Sequence, residues 1–281
     1  MILGVHRKAS RLAVLGELGR YPLFITAMSQ LLKYRISLDQ RPFSLVGQAL
    51  TEMSSMTSKG QDCWLNRVDT IMNLLKINHS DHTLSKVASR KFSSSLKSKF
   101  DIFWKKKVNE IKHVNNDHLN HNKLRVYSTL KSSFKSEPYL EFVRNRNQRS
   151  ALTRLRISAH SLATETGRRA RPKIPYNQRF CTFCHTENFT LPNQTCTPDI
   201  RLVDSEAHFL IVCARFINTR SHFFNKLEQL IPGFKLMDEN QKFLTILCPT
   251  NAQRSKLVNR YIKFMFEKRD KIEGGDKLYG L

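Results

Sequence analysis

Residues 179–224 read RFCTFCHTENFTLPNQTCTPDIRLVDSEAHFLIVCARFINTRSHFF. The stretch opens with Cys181-x2-Cys184, continues through 23 residues to His208, and reaches Cys213 after four more. Three thiols and one imidazole make a complete tetrahedral set for Zn²⁺ and leave no open position for water. The sequence therefore predicts a structural rather than a catalytic zinc site. Burial of the cysteines as ordinary core residues is the alternative.

The sequence leaves two features of this ligand set undetermined, the identity of the ligands and the backbone geometry at His208. His185 and Cys196 lie in the intervening loop, and either could replace a ligand. His208 and Cys213 are five positions apart, so an ideal α-helix would point them about 140° away from each other. We therefore expect the following helix to begin near or after His208, or to be irregular there.

The composition of the chain indicates a folded, strongly basic protein. Its 281 residues include 47 Lys and Arg against 23 Asp and Glu, a net charge of +24, and 40% are hydrophobic. The excess is uneven, because residues 121–180 hold 14 basic and 3 acidic residues, a net of +11. Such a charge predicts a polyanionic partner, with nucleic acid favoured over an anionic membrane surface.

The expected compartment is the nucleus or the cytoplasm. No stretch approaches the roughly 20 apolar residues of a membrane span, and the opening residues lack a secretory signal, so we expect no membrane partner. Thiols stay reduced in these compartments. The six cysteines then divide into one metal set and three spares, Cys63, Cys196 and Cys248.

The apolar periodicity predicts a mainly α-helical fold. No alternation typical of strands stands out. Asp204 and Ser205 are candidate N-caps for a helix through Phe209, and Gly167 is a candidate C-terminal cap. The predicted helices cover residues 9–18, 22–38, 42–56, 63–77, 84–113, 123–133, 150–165, 218–230, 238–247 and 251–271.

The basic residues before the cysteine pair indicate a non-catalytic nucleic-acid-binding module. Lys and Arg neutralise phosphates and release counterions, and single-stranded RNA stacks on aromatic rings and Arg planes, which favours RNA over DNA. Tyr176 and Phe180 are candidate stacking platforms, while Phe183 is better explained by packing against the metal loop. The candidate phosphate contacts are Arg149, Arg154, Arg156, Arg168, Arg169, Arg171, Lys173 and Arg179.

Two other functions are alternatives to this one. Asp199, Asp204 and Glu206 could form the carboxylate site of a metal-dependent nuclease, but they fit better as loop acids that cap the next helix. A zinc-stabilised protein-interaction scaffold is the third hypothesis, in which the charge would be incidental. No residues are assigned to catalysis.

Three blocks of the sequence, taken in order, resemble a known family. They are LGVHRKASRLAVLGELGRYPL at 3–23, RSALTRLRISAHSLATETGRR at 149–169, and RFCTFC followed by DSEAHFLIVCARF between 179 and 216. Together they resemble the C-terminal region of LINE-type (non-LTR) retrotransposon reverse transcriptases. In that family a helical region follows the polymerase core and leads into a Cys/His zinc knuckle. The resemblance implies that Cys181, Cys184, His208 and Cys213 take the knuckle ligand positions.

The chain departs from a complete element of that family. No Tyr/Phe-x-Asp-Asp motif is present, so the polymerase aspartates are absent, and the 23-residue gap is longer than a compact knuckle needs. The resemblance implies a separated tail whose polymerase domain would belong to a full-length parent protein. We expect a thumb- or connection-like helical region over 1–145, a basic helix with a zinc-knuckle-like module over 146–224, and C-terminal helices with a flexible tail over 225–281.

Overall fold

The computed structural model describes residues 3–5, 9–74, 86–112, 122–185 and 202–276. The fold is mainly α, as predicted, and these ranges contain no β-strand, only isolated bridges. None of the helices described is long and apolar enough to span a bilayer. In chain order, α1 to α13 are Arg11–Leu18, Leu23–Asp39, Leu45–Ser58, Trp64–Leu74, Lys86–Lys112, Arg125–Leu130, Tyr139–Phe142, Arg146–Arg156, Ala163–Arg169, Thr182–His185, Ile217–Leu230, Glu239–Leu247 and Ala252–Asp276.

The chain forms two compact units. Unit 1 comprises Met1–Gly19 and Lys107–Leu281, and unit 2 comprises Arg20–Lys106. This division differs from the three segments expected from the sequence. One hydrophobic core runs through unit 1 and includes both Tyr139 and Ile262, which lie in the first and the last of those segments.

Unit 2 is an array of α2, α3, α4 and most of α5. Its buried positions form two small clusters, one around Leu32 and Phe92 and one around Leu50 and Leu65. Trp64 packs against both clusters. The unit is therefore held by apolar contacts between neighbouring helices, as the helical periodicity of its sequence predicts.

The core of unit 1 is built around α8 and α13. Leu152 and Leu155 on α8 are fully buried, as are Ile262 and Met265 on α13. Each such side chain contributes about 1.5–3 kcal/mol relative to an exposed position. The packing of these two helices against each other therefore forms a central part of the core of unit 1.

The single helix predicted over 150–165 is wrong, because α8 ends at Arg156 and α9 begins at Ala163. The chain reverses at Ser158, whose φ of 51° lies in the left-handed region. Ala159 closes the turn by donating its N–H to the Arg154 carbonyl at 2.8 Å. The spacing of the apolar residues in this stretch is that of one continuous helix, although these residues belong to two helices.

The predicted C-cap role of Gly167 is also wrong, since Gly167 lies inside α9 and is buried. A Cβ at this position would lie 2.9 Å from Cγ of Arg179. Glycine is needed here because the Arg179 side chain crosses the helix surface at that point.

Arg156 lies at the centre of a buried ion network. Its guanidinium contacts Glu17 at 2.9 Å and Glu137 at 2.8 Å, and it donates to the Leu247 carbonyl at 2.6 Å. Tyr139 donates its hydroxyl to Glu17 at 2.7 Å. The network ties α1 to α8 and to the end of α12. Arg156 is fully buried, so its predicted role as a phosphate contact is corrected to a structural one.

Replacing Arg156 with Met should lower the free energy of unfolding by about 3–5 kcal/mol, because the buried Glu17 would lose its counter-charge. Urea unfolding followed by circular dichroism measures this change. Arg146→Met, at an exposed position of the same helix, is the control and should change the free energy of unfolding by less than about 1 kcal/mol. Equal effects of the two substitutions would contradict the structural role of Arg156.

Candidate metal centre

Cys181, Cys184, His208 and Cys213 come together in the structure, and we name them the Cys/His cluster. Their ligand atoms all lie within 4.8 Å of one another. The Cys184 Sγ lies 3.6 Å from Nε2 of His208 and 3.7 Å from Sγ of Cys213, and the Cys181 and Cys213 sulfurs are 3.9 Å apart. This set of four residues could hold a metal ion.

Paired backbone segments place the first two cysteines. Cys181 donates its N–H to the Leu202 carbonyl at 3.0 Å, and Asp204 donates its N–H to the Arg179 carbonyl at 2.8 Å. This short antiparallel pairing brings the residues before α10 against the segment that leads to His208. The two open ligand candidates, Cys196 and the side chain of His185, lie outside the described part of the chain.

A π-helical turn at His208–Val212 places the other two ligands. The Cys213 N–H donates to the His208 carbonyl at 2.7 Å, an i→i+5 bond that stacks residues five apart on one side of the turn. The predicted irregularity is therefore confirmed. Ser205 acts as the predicted cap, since the His208 N–H donates to its hydroxyl at 3.1 Å.

The pKa values of Cys184 and Cys213 are shifted in opposite directions. Hydrogen bonds with Cys181 and Cys213 lower the pKa of Cys184 to about 3. The same kind of bonds, shared with Cys181 and Cys184, raise the pKa of Cys213 well above its ordinary value. A cation bound by the cluster would favour the thiolate form of its cysteine ligands.

The imidazole of His208 faces the cluster through one ring nitrogen. Nε2 lies against the Cys184 sulfur, while Nδ1 is buried and has no hydrogen-bond partner among the described residues. On the other side of the cluster, Arg220 donates to the Cys213 carbonyl at 2.9 Å. This contact holds the end of the π turn against α11.

Asp204 anchors the cluster to two helices. Its carboxylate forms a two-point ion pair with Arg269 of α13, at 3.0 and 2.9 Å, and accepts the N–H of Ala163 at the start of α9 at 2.6 Å. The predicted N-cap role of Asp204 is therefore not its main contact, since its side chain is fully buried in this ion pair.

Glu206 forms a second buried ion pair, with Arg125 at 2.6 Å, and contacts Nε2 of His160 at 2.8 Å. Nδ1 of His160 accepts the Leu162 N–H, so Nε2 carries the proton that is donated to Glu206. Burial opposes ionisation of this carboxylate, but Arg125 and then His160 outweigh it and hold the pKa of Glu206 at about 2.

These ion pairs bear on the nuclease hypothesis. Asp204 and Glu206 each direct their oxygens to cations within the protein. Neither is arranged to share a metal ion with the other, and Asp199 lies outside the described residues. The structure supplies no observation that favours a nuclease site.

Arg179, another predicted phosphate contact, is corrected to a structural residue. It is buried and donates to the Thr164 carbonyl at 2.7 Å and to the Ile174 carbonyl at 2.9 Å. Its guanidinium also lies over the Tyr176 ring at 5.8 Å. A guanidinium held this way is not accessible to a phosphate.

The other six predicted contacts lie at or near the surface of unit 1. Four of them also bind groups within the protein: Arg149 donates to the Val143 carbonyl, Arg154 to that of Gly4, Arg168 to the Glu165 carboxylate, and Arg169 to the carbonyls of His160 and Glu165. Arg171 and Lys173 are exposed in the loop that follows α9. The basic surface is therefore smaller than the sequence indicated.

The candidate stacking residues divide in a similar way. The guanidinium groups of Arg125 and Arg179 lie 5.9 and 5.8 Å from the centre of the Tyr176 ring, and Phe183 packs edge-on against Phe216 at 6.1 Å. Phe183 therefore packs in the core beside the cluster, as expected. Phe180 is half-buried, beside the first cysteine.

Sequence reasoning missed the residues that support the cluster. Arg125, His160, Arg220 and Arg269 are all buried and all contact the segment 202–213 or its carboxylates. One signal in the sequence indicated such partners. Asp204 and Glu206 directly precede an apolar run, and carboxylates that become buried with that run need cationic partners. The identity of those partners depends on the tertiary fold.

Comparisons with protein-family models, with curated proteins and with solved structures return no match. The function therefore has to be argued from the Cys/His cluster and from the charged surface beside it.

The depressed pKa of Glu206 predicts acid sensitivity. Its ordinary value is 4.5 and its folded value is about 2, so the stabilisation is complete above pH 4.5 and is lost as the pH falls towards 2. Between pH 5 and 3, the wild type should lose about 2 kcal/mol more of its unfolding free energy than Glu206→Gln. Urea unfolding of both metal-free proteins at a series of pH values measures the difference, and parallel pH profiles would contradict it.

Proposed function

We propose that this protein is a non-catalytic, zinc-stabilised nucleic-acid-binding module related to the C-terminal region of LINE-type retrotransposon reverse transcriptases. The observation that carries the proposal is a loop with exposed basic residues, held at both ends by hydrogen bonds beside a closed set of four metal ligands. The support comes from the residues of the site and from the order of the three sequence blocks.

The donor set suits zinc better than the hard cations. A tetrahedral zinc ion with Zn–S bonds of about 2.3 Å holds its sulfurs about 3.8 Å apart. The sulfur separations of 3.7 and 3.9 Å agree with this value. Thiolate and imidazole ligands exclude the hard cations, and four protein ligands leave no place for a reacting water. Zinc in this cluster would supply structural stabilisation rather than catalysis.

The basic loop, which we define as residues 168–175 and which includes the end of α9, is connected to the cluster through Arg179. The Ile174 N–H donates to the Gly167 carbonyl at 3.1 Å, and the Arg179 side chain donates to the Ile174 carbonyl. The residue after Arg179 pairs with Val203 and so joins the loop to the cluster. Arg171 and Lys173 remain exposed on the loop, where they could contact phosphates.

RNA is the favoured partner, and a polymerase domain in a full-length parent protein is the second partner implied by the resemblance. Both suit a protein of the nucleus or cytoplasm. An excess of cations binds any polynucleotide through its phosphates, so this charge supports binding without fixing a target sequence.

Purified protein should contain about one equivalent of zinc, and Cys181→Ser should lose most of it, because three ligands hold the ion much more weakly than four. Metal content is measured by inductively coupled plasma mass spectrometry. Cys63→Ser, a cysteine of unit 2, is the matched control and should keep its zinc. Less than about half an equivalent in the wild type would contradict the zinc assignment.

Single-stranded RNA should bind with an affinity that falls steeply between about 50 and 200 mM salt, since phosphate contacts release counterions. Replacing Arg169, Arg171 and Lys173 with Gln should reduce the slope of log K against log salt by about 2, at roughly 0.7 per contact. Fluorescence anisotropy of a labelled oligonucleotide gives both quantities.

The control for this experiment removes three charges elsewhere in unit 1. Lys226, Lys235 and Lys256 are exposed and lie outside the basic loop, so their replacement with Gln should leave most of the slope intact. A flat salt response of the wild type would rule out the nucleic-acid-binding function itself. Equal losses in the two variants would rule out the basic loop as the binding surface.

A further inference from the structure

A polar stripe on α5 lines a groove of about 560 Å³ in unit 2. The residues of the stripe follow one another at intervals of three or one, so they share one face of the helix. They are Arg90, Ser93, Ser94, Lys97, Ser98 and Asp101. The remaining lining residues come from α2 and the segment before it: Tyr21, Ser29 and Lys33. We name this feature the serine groove.

The lining of the serine groove has the chemistry of a phosphate site. Lys33, Arg90 and Lys97 are exposed cations, against the single carboxylate of Asp101. Lysine, arginine and serine hydroxyls are the side chains that bind phosphate oxygens in nucleic-acid complexes. The groove thus offers several cations and several hydroxyl donors along one wall.

The spacing of the cations fits a polymer better than a single phosphate. Arg90 and Lys97 are seven residues apart on α5, which is about 10 Å along the helix axis. Successive phosphates of a strand can contact both side chains without requiring the two to converge on one group. The groove is also partly open to solvent, so an external strand can reach its lining.

One end of the serine groove holds an acceptor that lacks a donor. Tyr21 donates its hydroxyl to Oδ2 of Asp101 at 3.2 Å, and Lys97 lies over the Tyr21 ring at 5.5 Å. The Oδ1 of Asp101 is buried and has no hydrogen-bond partner in the described ranges. A buried acceptor without a donor destabilises the protein unless a bound group donates to it. A ribose 2′-hydroxyl is a donor that RNA has and DNA lacks.

We propose that the serine groove binds the sugar-phosphate backbone of single-stranded RNA, with Lys33, Arg90 and Lys97 on phosphates and Asp101 accepting from a 2′-hydroxyl. The inference rests on the proposed nucleic-acid-binding function and adds a second surface to it, in the other unit. It also gives a physical origin for a preference for RNA over DNA.

The same helix supplies a matched control. Lys91, Lys105 and Lys106 are exposed on α5 but do not line the groove. In the full-length chain, Lys33→Gln, Arg90→Gln and Lys97→Gln together should weaken RNA binding roughly tenfold or more at about 50 mM salt and lower the salt slope by about 2. The control triple Lys91→Gln, Lys105→Gln and Lys106→Gln removes the same charge and should change the affinity by less than about threefold.

Asp101→Ala tests the 2′-hydroxyl contact separately. The ratio of the DNA to the RNA dissociation constant, measured with oligonucleotides of one sequence, should fall towards one in this variant, whereas a purely structural role would leave the ratio unchanged. Circular dichroism and the zinc content of each variant confirm that the fold is intact. Inorganic phosphate at the same phosphate concentration should not displace the RNA.

The outcomes separate this inference from the function it rests on. Wild-type protein that binds no RNA contradicts both. Wild-type protein that binds RNA, with groove and control triples that are equally weakened or equally unaffected, contradicts the serine groove alone. Displacement of RNA by inorganic phosphate would indicate a site for free phosphate instead of a backbone, and an unchanged ratio in Asp101→Ala would remove the 2′-hydroxyl contact.

Discussion

Two buried carboxylates, Asp204 and Glu206, organise the part of unit 1 that carries the Cys/His cluster. Asp204 is paired with Arg269 of α13 and with the first N–H of α9, and Glu206 is paired with Arg125 and His160. A buried carboxylate is costly unless its partners are in place, so the segment through His208 has one favourable position. The π turn then carries His208 and Cys213 into the cluster from that fixed start.

The cost of burying an unpaired charge also distinguishes the structural arginines from the exposed ones. Arg156 and Arg179 looked like part of a basic surface because they lie in a basic stretch of sequence. Arg156 is instead paired with Glu17, 139 residues away along the chain, and Arg179 is held by main-chain carbonyls. No local pattern reveals either pairing. The residues that stay exposed, such as Arg171 and Lys173, lie in a loop where no acidic partner approaches among the described residues.

Elements governed by local chemistry could be predicted from the sequence. The short helix ending at Gly19, whose φ of 58° needs glycine, is one case, and the capping box of Asp238 and Gln241 that starts α12 is another. The four candidate ligands also followed from residue type and spacing. The break between α8 and α9 could not be predicted, because Ser158, whose φ is 51°, hydrogen-bonds to Glu206, 48 residues later in the chain. The boundary between the two units depends on core contacts of the same long-range kind.

With a metal bound, the Cys/His cluster would carry a net charge that the surrounding protein has to balance. A divalent metal with three thiolates leaves a net negative charge inside unit 1, and such a charge needs nearby dipoles or cations. Arg220 supplies a cation beside Cys213, yet it donates to the carbonyls of Val212 and Cys213 and so does not compete for the sulfurs. The negative charge of an occupied cluster would therefore be balanced within the protein by the buried Arg220. Arg171 and Lys173 are not needed for that purpose, so the basic loop would stay available to the proposed nucleic-acid partner.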